Sequence, residues 1–152
     1  MKTRIDDTDR LILNLIQSDF PVTSRPFEWI GKQVGLPENE VMDRLTNLKN
    51  KNIIRRIGGN FVPEKLGYVS TLCAARVPES RIEDFMAAVN QYPGVTHNYL
   101  RENPFNIWFT FIARSMAEIE ANLDKISSET GIVGILNLPA TRTFKIKAQF
   151  DL

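Results

Sequence analysis

His97, Tyr99 and Arg101 recur at alternate positions of the segment YPGVTHNYLR, Tyr92 to Arg101, and Trp108 follows in FNIWFTF, Phe105 to Phe111. In an extended chain, alternate side chains share a face. Val95, His97, Tyr99 and Arg101 therefore fall on one side of a first strand. In the next, Asn106, Trp108, Thr110 and Ile112 share one side, and Ile107, Phe109, Phe111 and Ala113 the other. The last set is wholly apolar and belongs beneath helices. The side with Trp108 must then face a partner or a cavity, together with His97, Tyr99 and Arg101. Each type has a use there. A guanidinium clamps carboxylates with two parallel bonds. Indole and phenol offer flat apolar area. Imidazole or phenol can deliver a proton, and imidazole can ligate iron. The set suits a flat, anionic macrocycle. Each residue also has a plainer reading: a lone strand histidine is most often structural, Arg101 has Glu102 beside it as a surface partner, and Trp108 suits a core or an interface.

Helices and strands must position these groups. Asp6 to Ser18 reads as a helix, with Asp6, Asp7 and Asp9 at its dipole-favoured start. Phe27 to Val34 is a second helix, stopped by Gly35. A third begins at Pro37, with Val41, Leu45 and Leu48 as its inward stripe. Ile53 to Val62 reads IIRRIGGNFV, two apolar runs about Gly58-Gly59-Asn60, which predicts a hairpin. Three helices and a hairpin describe a winged helix-turn-helix over residues 1–62. From 63 to 152 the pattern alternates: strand Tyr68 to Val77, helix Arg81 to Gln91, strands Val95 to Arg101 and Asn106 to Ala113, and helix Met116 to Ser127. Extended segments Ile132 to Leu138 and Thr143 to Phe150 follow. This β-α-β-β-α-β order predicts a ferredoxin-like domain and an α+β chain. In the last segment Lys145 and Lys147 share a side with Thr143, opposite Phe144 and Ile146, and read as surface. Arg142 is a candidate ligand contact, and Arg76, ending the first strand, a further one.

Composition narrows the classes. Hydrophobic residues make up 43% and charged residues 24%, which excludes a disordered chain. No apolar run reaches the ~20 residues that span a bilayer, and Met1 to Arg10 lacks the apolar core of a signal peptide, so the cytoplasm is the expected location. One cysteine, Cys73, and one histidine exclude an internal disulfide and a structural zinc site; Cys73 in LCAA reads as a buried hydrophobe. Residues 1–62 carry ten Lys/Arg and eight Asp/Glu, a net +2, and the remainder nine and ten, a net −1. Neither has the basic footprint of a committed DNA binder. The third helix opens with Glu38, Glu40 and Asp43 where phosphates would lie, so DNA binding is doubtful. No Gly-rich phosphate loop is present, since Gly58-Gly59 belongs to the hairpin.

The two-domain layout resembles the AsnC/Lrp family, whose C-terminal domains dimerise through their sheets and bind effectors near that interface. YPGVTHNYLR, FNIWFTF, LPATRTFKI (Leu138 to Ile146), DFP (Asp19 to Pro21) with RPF (Arg25 to Phe27), and IIRRIGGNFVPEKLGY (Ile53 to Tyr68) resemble one branch of it, the siroheme decarboxylases, and within them the A-type subunit. The resemblance implies an enzyme, a carboxy-lyase of an alternative haem biosynthesis route. Siroheme would lose two acetate carboxyl groups to give didecarboxysiroheme, in a heterodimer with a homologous B-type subunit or in a homodimer. It implies His97 and Tyr99 as catalytic groups, with His97 either proton donor or axial ligand to the substrate iron. Arg101, Trp108, Arg142, Arg76 and Asn98 become substrate contacts, and no cofactor is implied beyond the iron tetrapyrrole itself. Two other functions fit the same residues. One is a tetrapyrrole- or amino-acid-responsive regulator using Arg44, Lys49, Lys51, Arg55 and Arg56 to hold DNA; the other is a non-catalytic partner subunit.

Overall fold

The computed structural model describes residues 5–145 and 149–152. The chain divides into two compact units. The described residues up to Gly59, with Lys145 and residues 149–152, form one, and Asn60–Phe144 the other. The end of the chain thus groups with the N-terminal unit, whereas the sequence pattern assigns everything after 62 to the second.

In the first unit α1 spans Asp7–Ile16, α2 Pro26–Val34 and α3 Glu38–Asn50. Asp6 caps α1: its carboxylate accepts the Asp9 N–H at 2.7 Å, and the Asp9 carboxylate accepts the Asp6 N–H in return. Pro26 opens α2, where its missing N–H costs nothing, and Gly35 closes it at φ 74°, a left-handed turn natural to glycine. The buried stripes converge on Ile12, Leu13, Ile30, Val41, Leu45 and Leu48, with Ile54 against them.

The expected hairpin is absent. Residues 53–62 form no strand ladder. Ile54 is buried, but Ile57, Phe61 and Val62 stay exposed. An isolated two-stranded ribbon is marginal in water unless one face is buried, and here the apolar side chains beyond Ile54 find no such surface. The helix-turn-helix is formed without a strand-built wing.

In the second unit β1 spans Val69–Ala75, α4 Ile82–Val89, β2 Val95–Leu100, β3 Ile107–Ala113, α5 Met116–Thr130 and β4 Leu136–Leu138. The sheet is antiparallel in the order β2-β3-β1-β4, the ferredoxin-like arrangement. Ser115 caps α5 by accepting the Glu118 N–H at 3.2 Å. Phe85 and Val89 of α4 and Ile119, Leu123 and Ile126 of α5 pack on Cys73, Ala75, Ile107, Phe109 and Phe111. Strand β3 alternates buried and half-buried along its whole length, as its sequence predicts. Of the segment Ile132 to Leu138 only the last three residues join the sheet, while Ile132 enters the core. The final expected extended segment, Thr143 to Phe150, lies partly outside the described residues, since Ile146, Lys147 and Ala148 are not among them.

Candidate functional site

The register of the sheet decides which side chains meet. Residues directly opposite in an antiparallel ladder point to the same side. Ile107, Phe109 and Phe111 face the helices, so Trp108 and Thr110 face away from them. Thr110 stands opposite His97 on one flank and Leu72 on the other; Trp108 stands opposite Tyr99 and Ala74. Strand β4 extends both rows, with Leu138 beside Leu72 and Leu136 beside Ala74. The open face therefore carries His97, Tyr99 and Trp108 on one side and exposed Leu72, Leu136 and Leu138 on the other.

One expectation about this face fails. Strict alternation groups Val95 with His97, but a register shift between them pairs Val95 with Phe111. Val95 consequently packs against the helix-side core. A β-bulge leaves one residue, Thr96, without a partner and re-aims all that follows. The start of β2 is held tightly. The Gly94 carbonyl accepts the Ile112 N–H at 2.9 Å. A Cβ at Gly94 would stand 2.1 Å from the Ile112 carbonyl oxygen and 3.1 Å from the Phe111 ring. Only glycine fits this close approach.

Beyond the bulge the aromatic and cationic groups form a continuous line. The His97 and Tyr99 rings are stacked, 6.4 Å apart and 15° from parallel. The Arg101 guanidinium lies 6.0 Å from the Tyr99 ring centre and 5.5 Å from that of Trp108. The Trp108 indole N–H donates to the Phe105 carbonyl at 2.6 Å, which fixes its plane. The Phe105 ring in turn lies 5.2 Å from the Arg76 guanidinium. Among the described residues no carboxylate lies within 4 Å of Arg76, Arg101 or Arg142, so Arg101 is not paired with Glu102. Guanidinium groups stacked on rings keep their N–H edges free for an anion.

The other sequence candidates separate. Asn98 stands opposite Phe109 and so belongs to the helix side, where its amide donates to Asn90 at the end of α4. The structure does not bring it to the open face. Arg142 lies after β4 in a segment without regular structure, its guanidinium 4.7 Å from the exposed Phe144 ring. Cys73 is fully buried on the helix side, and burial pushes its thiol up to about 12, so it offers no nucleophile. Phe105, Leu72, Leu136 and Leu138 join the face unannounced. Their presence follows from strand register, which sequence periodicity does not carry.

The first unit was a candidate DNA reader through α3. Arg44, the arginine of that helix, is consumed internally. It donates to Asp6 at 2.7 Å, to Asp9 at 2.9 Å and to Glu40 at 3.2 Å. These partners raise the guanidinium pKa and hold the Asp6 carboxyl below the usual carboxylate range. Arg25, before α2, is likewise bound to Glu38 and Glu28. No described helix is long and apolar enough to cross a membrane.

Comparison with known proteins matches both units. Residues 65–145 match the AsnC-like ligand binding domain, and residues 9–55 the siroheme decarboxylase NirDL-like HTH domain. The chain is 54% identical to the siroheme decarboxylase alpha subunit of Desulfovibrio desulfuricans, over 97% of this chain and 85% of that one. The chain belongs to the siroheme decarboxylase family. The alpha subunit of Oleidesulfovibrio alaskensis is 50% identical over 97% of this chain and 90% of its own length. Among solved structures, siroheme decarboxylase NirDL superposes with a TM-score of 0.70 at 31% identity, over 96% of this chain and 48% of that one. The chain spans about half the length of the NirDL proteins it matches. NirDL has also been crystallised in co-complex with an iron-uroporphyrin III analogue. The Mycobacterium tuberculosis leucine response regulatory protein superposes at a TM-score of 0.81 but 19% identity, which speaks for the fold alone.

Proposed function

We propose that this chain is the A-type subunit of a siroheme decarboxylase, acting with a homologous B-type subunit on siroheme. The observation that carries the reading is the 54% identity to an alpha subunit, sustained over 97% of the chain. The open face agrees with it in chemistry. Siroheme is a flat iron tetrapyrrole ringed by carboxylates. Tyr99 and Trp108 supply flat apolar surface beside it, and Arg76 and Arg101 have free donor edges for its arms.

The reaction is redox-neutral. The bond between an acetate methylene and its carboxylate breaks, carbon dioxide leaves, and the electron pair stays on the carbon. The conjugated ring spreads that charge, and one proton completes the new methyl group. The substrate's own ring is the electron sink, so no further cofactor is needed. His97 and Tyr99, stacked on the exposed face, are the candidate proton donors. His97 serves either in this way or as a ligand to the substrate iron. The arginines do most good on carboxylates that do not react. A guanidinium on the departing carboxylate would stabilise the charge that must vanish, and binding energy accelerates the step only when it favours the transition state. Arg142, on its exposed segment, is a further candidate arm.

In this reading the helix-turn-helix is architecture, not a DNA reader. Arg44 is neutralised by three acids instead of facing phosphate. The decisive experiment incubates the purified chain with siroheme under anaerobic conditions, alone and with the homologous subunit, and follows product mass. Stepwise loss of two carboxyl groups in the mixture is expected. Binding without mass change in both preparations overturns the enzyme and favours a sensor. Full turnover with a His97→Ala chain in the mixture assigns the chemistry to the partner's pocket.

A further inference from the structure

Arg76 and Arg101 stand on either side of Asn106. The β1–β3 ladder ends at the pair Ala75 and Ile107, and the β2–β3 ladder at Leu100 and Ile107. One step further, both ladders continue through Asn106 by different means. On the β2 side its main-chain carbonyl accepts the Arg101 N–H at 2.8 Å. On the β1 side its side-chain amide replaces a strand partner. The amide oxygen accepts the Val77 N–H at 2.9 Å, and the amide nitrogen donates to the Val77 carbonyl at 2.8 Å. The residue before it, Phe105, backs Arg76 with its ring and fixes Trp108 with its carbonyl, and Trp108 backs Arg101. The dipeptide Phe105-Asn106 thereby ties the main chain at Arg101 and at Val77, backs Arg76 directly, and fixes the indole that backs Arg101. With strands about 4.8 Å apart, the two arginine backbones are about 10 Å apart across three strands.

We propose that Asn106 is a positioning residue that sets the spacing of a two-armed carboxylate clamp, Arg76 and Arg101, at one end of the substrate face. The clamp takes two carboxylate arms of one tetrapyrrole and so fixes how the ring is turned on the sheet. The inference rests on the proposed function and deepens it. Asn106 acts through the arginines and does not touch the reacting atoms. Its removal frees Val77 and the end of β1, and the arm at Arg76 loses its fixed distance from the arm at Arg101.

The test titrates two probes into the full-length chain by their Soret absorbance. One probe is iron uroporphyrin, with its full set of carboxylates; the other is haem, which carries only its propionates. Asn106→Ala is expected to weaken iron uroporphyrin about tenfold, the loss of one good charged contact, and haem less than about twofold. In the complex with the partner subunit, KM for siroheme rises by a similar factor while kcat changes less than about threefold. Combined with Arg101→Ala, Asn106→Ala adds little, because without Arg101 there is no second arm whose distance from Arg76 Asn106 can set. Phe105→Leu, which keeps the backbone and removes the ring under Arg76, gives a smaller loss with the same probe dependence and serves if Asn106→Ala fails to fold. Equal loss for the two probes, or full additivity with Arg101→Ala, overturns the proposal. Unchanged binding by a folded Asn106→Ala overturns it while leaving the decarboxylase reading intact. A parent chain that binds neither probe removes that reading and the clamp with it.

Discussion

Replacing Gly94 with alanine should unsettle the strand that carries His97. A Cβ there lies 2.1 Å from the Ile112 carbonyl oxygen, about 1 Å closer than van der Waals contact permits, and the obstacle is backbone that cannot rotate away. Strand β2 must draw back from β3 by about that amount. The bond from the Ile112 N–H to the Gly94 carbonyl, now 2.9 Å, then stretches beyond useful range and forfeits about 1 kcal/mol. Overpacking against the Phe111 ring adds about 1–3 kcal/mol. The sum, about 2–4 kcal/mol, falls on the unit Asn60–Phe144. For a domain of that size it corresponds to a fall in Tm on the order of 10–20 °C. Thermal unfolding followed by circular dichroism measures it. Gly58→Ala is the control, because a Cβ at Gly58 meets nothing within 4 Å; its Tm should stay within about 3 °C of the parent. If Gly94→Ala melts within about 2 °C of the parent as well, the close approach is not what demands glycine.

Four further outcomes follow from the geometry. Arg44→Ala should cost the N-terminal unit about 1–3 kcal/mol in denaturant unfolding, since it strips a charged partner from nearly buried Asp9; equal midpoints would mean the ion pairs are idle. Cys73 should resist a thiol reagent in the folded chain at pH 8 and react on unfolding. Its folded value near 12 lies above the unfolded value of about 8.5. The folded state therefore keeps its full stability below that unfolded value and loses it as pH rises towards 12, and rapid native labelling would contradict the burial. Ser115→Ala should lower stability by about 1 kcal/mol through the lost cap on α5, read from the unfolding midpoint. Gln17→Ala should release the Phe150 amide to fast hydrogen exchange, because the Gln17 side chain both accepts from the Phe150 N–H and donates to its carbonyl; unchanged protection would place the contact elsewhere.

Much of this fold is legible in the sequence. The 3/4 spacing of Val41, Leu45 and Leu48 located the core face of α3, and the alternation of Ile107 to Ala113 located both faces of β3. Alternation puts His97, Tyr99 and Arg101 on one side because all three lie beyond the bulge, and Trp108 stands opposite Tyr99. Val95 was misplaced because a bulge changes the count without changing composition, and a two-residue period has no way to register it. Asn98 was drawn to the site by its neighbours in the motif, although its parity puts it on the helix side. The Gly58-Gly59-Asn60 turn signal was sound local chemistry, but a hairpin also needs a surface to cover, and that is a tertiary fact. Of the acids that bind Arg44 only Glu40 is a sequence neighbour; Asp6 and Asp9 are thirty-eight and thirty-five residues away, beyond any local pattern. The spacing of Arg76 and Arg101 depends on three strands at once, so no single segment announces it.

The way the end of the chain is held has a consequence for its evolution. Asn14 on α1 and Gln17 at its C-terminal cap each embrace the main-chain N–H and carbonyl of one residue, Leu152 and Phe150 respectively, at 2.8–3.3 Å. They grip what every amino acid except proline shares. Phe150 and Leu152 leave much of their side chains in solvent. Substitutions there should pass nearly unnoticed by selection, while the two side-chain amides stay under constraint. In this corner of the molecule the record of a contact would be written on one partner only.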